Sequence, residues 1–237
     1  GTAVNQTCAA CAIGKYKATS GNDGTCVDGA TGQCTTTDGV SCIGAIATGA
    51  TGSIPCPAGE YSTATASGAC FLAESGTCSS KNEISCAGSD VIGSNFKISC
   101  PAGKYSTAAA NGACTEALAG YCSSIDGTNC AQGTNTGAKS QLICPQGKYA
   151  KSTSNTDCTA AVAGKCSSND GGITCITGTN TGATSVKICP KGRYSTASVN
   201  TDCTQCVEGK YSGTLGASLA STCLSAGPGK CSSNDGF

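Results

Sequence analysis

Cysteine spacing constrains this chain more than any other feature. Cys100, Cys114, Cys122, Cys130 and Cys144 stand 14, 8, 8 and 14 residues apart. The rhythm runs backward through Cys86, Cys78, Cys70 and Cys56. It runs forward through Cys158, Cys166, Cys175 and Cys189, with one inserted residue before Cys175. Between the cysteines the sequence is mostly Gly, Ser, Thr and Ala. A rhythm that holds while the filling drifts points to sulfur as what sets the fold.

The filling explains why crosslinks are needed. The 237 residues contain 22 Cys but no Trp, no Met and only 3 Phe. Ala, Gly, Ser and Thr offer little area to bury at about 25 cal/mol per Å². They cannot offset a chain entropy of roughly 1.5 kcal/mol per residue. A disulfide that closes a loop of about 15 residues contributes on the order of 3 kcal/mol by restricting the unfolded chain. Persistent disulfides require an oxidising compartment, so the chain is expected to be extracellular or on a cell surface. The competing reading, a reduced protein loaded with zinc, calls for clustered CxxC pairs, and most spacings here are 8 and 14. No cofactor is expected.

Net charge is zero, and only 12% of residues are charged. Nucleic-acid binding needs basic patches, so that partner is not expected. The opening GTAVNQTC is polar and is no signal peptide. No apolar run reaches the roughly 18 residues that a membrane span needs. Membrane attachment is therefore expected only through a lipid anchor outside this window.

Repeats organise the chain. The expected divisions are a variant CxxC-containing unit at 1–55, repeats at 56–99, 100–143 and 144–188, a partial repeat at 189–205 and a second variant unit at 206–237. The stretch AVNQTCAACAIGKY at 3–16 matches SVNTDCTQCVEGKY at 198–211. Both ends fall inside a unit, so the chain reads as a window on a longer repetitive protein, or as one subunit of a head-to-tail array. Its expected partners are adjacent repeats or copies of itself.

Most units open with Cys, often Pro, then Gly and Tyr: Gly59 with Tyr61, Gly103 with Tyr105, Gly147 with Tyr149, Gly192 with Tyr194. Gly14 with Tyr16 and Gly209 with Tyr211 are variants. Pro fixes φ and Gly accepts φ > 0, so the motif predicts a tight turn. The Tyr supplies one large side chain per unit, placed to lie on a disulfide or on the next unit. FKIS, QLI and VKI before Cys100, Cys144 and Cys189 predict brief strands. Asp126–Gly127 and Asp170–Gly171 predict hairpin turns within the eight-residue loops. The fold class is thus small disulfide-rich tandem repeats: an elongated rod of short β-hairpins and loops, with little helix and no large hydrophobic core.

Connectivity is not fixed by sequence alone. The simplest arrangement closes each long loop on itself: Cys11–Cys26, Cys56–Cys70, Cys100–Cys114, Cys144–Cys158, Cys189–Cys203 and Cys206–Cys223. The short loops are then Cys34–Cys42, Cys78–Cys86, Cys122–Cys130 and Cys166–Cys175. Cys8 and Cys231 remain, and are expected to pair outside the chain. An interlaced pattern, with short-loop cysteines bonded to neighbouring units, is the alternative.

Residues that carry catalysis are scarce. With no His, the usual triad base and metal ligand is missing. The CxxC pairs Cys8/Cys11 and Cys203/Cys206 lack the strand–helix setting of a redox motif. Asp23, Asp28, Asp38, Asp126 and Asp170 stand singly, without the dense spacing of a calcium loop. No catalytic, cofactor or metal residues are assigned, and the chain is read as non-enzymatic. Ser and Thr make up about a quarter of the chain, a composition associated with O-glycosylation in secreted proteins. Asn5 heads the one N-x-S/T sequon.

CPAGKYSTAAANGAC and its sister loops resemble those of the tumour-necrosis-factor-receptor and ephrin-receptor-like cysteine-rich modules, over about 15 residues per unit. Across the whole chain, the Ala/Ser/Thr/Gly filling, the long cysteine period and the repeated CSS resemble the immobilisation antigens of ciliates. That resemblance implies a GPI-anchored surface-coat protein of tandem cysteine-rich repeats, and the Ser and Thr content adds the expectation of glycosylation. The leading functional expectation is a non-enzymatic structural coat protein of that kind. The alternatives are a subunit of a head-to-tail extracellular filament and a receptor-like cysteine-rich binding module.

Overall fold

A computed structural model describes residues 8–21, 24–176 and 180–232. Asn5 and Asp23 lie outside them. The chain divides into two compact units, Gly1–Cys100 with Ser106–Thr115, and Pro101–Tyr105 with Glu116–Phe237. Among the described residues there are ten two-stranded sheets and one 3₁₀ turn, Ala220–Thr222. Ten disulfides cross-link them. This is a small disulfide-rich fold of tandem hairpin repeats. No described helix is long and apolar enough to cross a membrane.

In the second unit the pattern is clearest from Pro101 onward. The Lys104 N–H donates to the Pro101 carbonyl at 3.0 Å. Gly103 sits at φ 80°, the value a type II turn requires at its third position. Leu118–Tyr121 repeats this turn, with the Tyr121 N–H on the Leu118 carbonyl at 3.0 Å. The strand Tyr121–Ser124 follows and pairs antiparallel with Ser140–Ile143, Cys122 opposite Leu142. Lys165–Ser168 pairs with Ser185–Ile188 in the same manner, Cys166 opposite Lys187. In the first unit, Gln33–Thr36 pairs with Gly52–Pro55, and Thr77–Ser80 with Phe96–Ser99.

FKIS, QLI and VKI therefore lie in the second strands of these hairpins. The Asp-Gly steps do not turn the hairpins. Ser124 and Ser140 are the last paired positions, so a long connection lies between the strands. Asp126–Gly127 is a bend inside the disulfide loop that pinches off the start of that connection.

Neighbouring repeats are joined through main-chain hydrogen bonds. The Gly120 N–H donates to the Ala150 carbonyl and the Ser123 N–H to the Asn155 carbonyl, both at 2.8 Å. The Ser154 N–H returns to the Ala117 carbonyl at 2.7 Å. In the first unit the Ala110 N–H donates to the Ala73 carbonyl at 2.8 Å, and the Ser79 N–H to the Asn111 carbonyl at 2.9 Å. Such close main-chain approach demands small residues. A Cβ on Gly103 would stand 1.9 Å from the Ser154 carbonyl oxygen. Ser154 itself holds φ 59°, a strained value for a residue with a side chain.

Among the described residues the buried side chains are Cys, Ala, Ser and Thr, with Ile176 at 7% exposure as the one larger residue. The largest fully buried side chains are Thr35 and Thr36. Large apolar groups lie outside instead: Val40, Ile46 and Ile84 are each more than 80% exposed. The repeated Tyr is half-buried and pairs through its backbone. Tyr105, Tyr149 and Tyr194 form single parallel bridges to Ala138, Ala183 and Ala217. Tyr61 also stacks obliquely on Phe71, ring centroids 6.1 Å apart, with the Lys97 ammonium 5.8 Å from its ring.

Candidate functional site

Chemistry concentrates where sulfur does. The long loops are closed by Cys11–Cys26, Cys56–Cys70, Cys100–Cys114, Cys144–Cys158, Cys189–Cys203 and Cys206–Cys223. The short loops are closed by Cys34–Cys42, Cys78–Cys86, Cys122–Cys130 and Cys166–Cys175. The bridges present are the loop-closing ones. Neither CxxC pair is bonded internally: Cys203 joins Cys189, Cys206 joins Cys223 and Cys11 joins Cys26. Cys8 and Cys231 carry free, exposed thiols.

Each short-loop bridge rests against the long-loop bridge of the next repeat. Cys42 and Cys70 Sγ are 3.8 Å apart, Cys86 and Cys114 3.5 Å, Cys130 and Cys158 3.9 Å, and Cys175 and Cys203 3.8 Å. The hairpin register places them. Cys122 is on the strand Tyr121–Ser124, and Cys144 follows directly after its partner strand Ser140–Ile143. Both sulfur positions are fully buried, whereas Cys130 and Cys175 are half-buried.

In each group three sulfurs, such as Cys34, Cys42 and Cys70, lie within 4.8 Å of one another. That proximity would suit a thiolate metal centre, but each of these sulfurs is disulfide-bonded and carries no thiolate to give.

Two of the sulfur pairs floor open clefts at equivalent places. The first, about 310 Å³, is lined by Cys130, Cys158, Pro145, Lys148 and Asp157. The second, about 420 Å³, is lined by Cys175, Cys203, Pro190, Arg193 and Asp202. Arg193 Nη1 donates to the Cys203 carbonyl at 3.0 Å. Asp157 and Asp202 accept from the N–H of Cys158 and Cys203, each at 2.7 Å.

The short loops are built around one acid or amide and one hydroxyl. Asp126 Oδ1 accepts from the N–H groups of Thr128 and Asn129 at 2.8 Å each. The Asn129 and Thr128 donors hold its carboxyl well below the usual carboxylate range. Asp38 is held down likewise, first by Ser41 and then by Val40 and Thr36, and Asp170 by Thr174 and Ser168. Asn82 takes this place in the fourth loop, accepting from Ile84 and Ser85 at 3.0 Å. Asp28 lies elsewhere, in an exposed ion pair with Lys15 at 2.6 Å. These acids organise turns, and no two of them converge.

Hydroxyls that sequence reasoning gave no role stand one and two residues after the first cysteine of each short loop. Ser124 Oγ donates to the Asn129 carbonyl at 2.6 Å and accepts from the Gly127 N–H at 3.0 Å. Its neighbour Ser123, with Thr35, Ser79 and Ser167 at the matching positions, is buried with an unpaired Oγ. The signal was the doublet that follows Cys34, Cys78, Cys122 and Cys166. The sulfur pairs had a signal too: 28 residues separate Cys42 from Cys70, Cys86 from Cys114, Cys130 from Cys158 and Cys175 from Cys203.

Fold and site together define the class: a cysteine-rich protein of tandem disulfide-bonded hairpin modules. No protein-family model and no curated protein matches the chain.

Proposed function

We propose that this chain is a structural module of an extracellular surface coat, of the kind that the resemblance to ciliate immobilisation antigens implies, with no enzymatic task. The observation that carries this reading is the division of labour within each repeat. Sulfur, glycine and main-chain hydrogen bonds hold the repeat, while the loop side chains face solvent. A scaffold of that kind tolerates change on its outer face and resists unfolding and proteolysis. Ten disulfides persist only where thiols are oxidised, which is where a coat resides. Exposed Ser and Thr supply acceptors for O-linked glycans, and a lipid anchor would hold the coat to the membrane.

Antibodies raised against the chain should label intact, unpermeabilised cells of its source evenly. Phosphatidylinositol-specific phospholipase C should release the signal. Labelling that needs permeabilisation would overturn the proposal. Electron microscopy of the labelled surface separates an even coat from an extracellular filament.

A further inference from the structure

We infer that each stacked disulfide pair is a thiol–disulfide exchange site at which a small dithiol reductant moves a crosslink from within one loop to between two repeats. The geometry recurs four times. In every case the short loop's second cysteine lies 3.5–3.9 Å from the second cysteine of the following long loop. A thiolate formed at that distance is already in contact with a disulfide sulfur, and thiolate attack on such a sulfur is how bridges exchange.

Exposure sets the order of events. Cys130 is half-buried and lines an open cleft, while Cys122 is fully buried. A dithiol thiolate entering the cleft therefore attacks Cys130 Sγ. A mixed disulfide forms, the Cys122–Cys130 bond breaks, and the Cys122 thiolate takes a proton from water. The second thiol of the reductant then closes on its own sulfur. It leaves as a cyclic disulfide and frees the Cys130 thiolate. That thiolate attacks Cys158 Sγ, forming Cys130–Cys158 and breaking Cys144–Cys158. Cys144 departs as a thiolate and is protonated. Two electrons have entered from the dithiol, one bridge has been lost and one has moved.

Burial makes the exchanged form a resting point. The two thiols left, Cys122 and Cys144, belong to one buried cluster with Ala150 and Cys158. Neither is reachable without opening the hairpin. The charges facing the sulfurs from the surrounding elements are Lys148 and Asp157 here, and Lys187, Arg193 and Asp202 at the equivalent cleft. Two of those cations stand against one carboxylate at the second cleft, a setting that favours thiolate over thiol. The Cys175–Cys203 site is thus the more reactive of the two.

The test uses the whole oxidised chain. Dithiothreitol at about pH 8 is titrated until one bridge per molecule is open on average. The reaction is then stopped with acid, the chain is unfolded in denaturant at mildly acidic pH so that buried thiols are capped with N-ethylmaleimide, and unreduced peptides are mapped by mass spectrometry. The expected result is peptides linked between cysteines 28 apart, Cys130–Cys158 and Cys175–Cys203 foremost and Cys42–Cys70 or Cys86–Cys114 alike, with the maleimide on the two cysteines released, such as Cys122 and Cys144 or Cys166 and Cys189. Maleimide on both partners of an original bridge, with no crosslink between cysteines 28 apart, would overturn the inference. All-or-none reduction, leaving only native or fully capped molecules, would overturn it equally. In a Cys130→Ser variant the Cys130–Cys158 link cannot form, while the Cys175–Cys203 link should still appear.

Discussion

The carboxylate of Asp126 accepts two backbone N–H groups and the Asn129 side chain, and its folded pKa is depressed for that reason. A depressed carboxylate contributes stability that is complete above its unfolded value of about 3.9 and is lost as pH falls below it. The amides of Thr128 and Asn129 should therefore lose hydrogen-exchange protection below about pH 4, relative to their intrinsic rates. Ile84 and Ser85 provide an internal control, because the neutral Asn82 holds them. Equal acid sensitivity in both loops would contradict this. Asp126→Asn should preserve the loop and abolish its pH dependence. Gly103→Ala places a methyl where the Ser154 carbonyl stands, at a φ that L residues resist. We expect a loss of about 1–3 kcal/mol, read as faster exchange at Ser154 and Ala117. Ser123→Ala removes a buried hydroxyl without a partner, so it should change stability by less than about 1 kcal/mol or raise it.

At the scale of elements, each hairpin is too short to stand alone, since an isolated two-stranded hairpin is marginal in water. Loop closure and the neighbouring repeat supply the rest. Replacing Cys122 and Cys130 together with Ser releases a short loop whose closure contributes about 2.5 kcal/mol in the chain-entropy model. Exchange should accelerate at Ser123 and Gln132 and in the loop they donate to, around Asn155 and Thr156. The hairpin Lys210–Tyr211 with Leu224–Ser225 should keep its protection. Much of this level was legible in the sequence. Cysteines 14 and 8 apart mark loop ends, and FKIS, QLI and VKI show the alternation of a strand. The partner strand was not legible, because the last three residues of TCSS, YCSS and KCSS are small and bury both faces. The Asp-Gly steps misled for a related reason. Their turn chemistry is real, but the strands they seemed to join are held apart by the longer connection.

For the molecule as a whole, the composition announced that no oily interior could form, and the burial agrees: cysteine, alanine and hydroxyl residues fill the inside. The stacking of one repeat's bridge on the next was harder to read. It depends on the hairpin register bringing Cys130 to Cys158, and sequence spacing alone supplies no third dimension. Stability of this kind accumulates repeat by repeat, through closed loops and nearest-neighbour contacts. The most direct test is hydrogen exchange of the chain after every bridge has been reduced and alkylated, at neutral pH and without denaturant. The account predicts that all segments, including Tyr121–Ser124 and Ser140–Ile143, then exchange at unfolded-chain rates. Hairpin amides that stay protected with no disulfide left would contradict it.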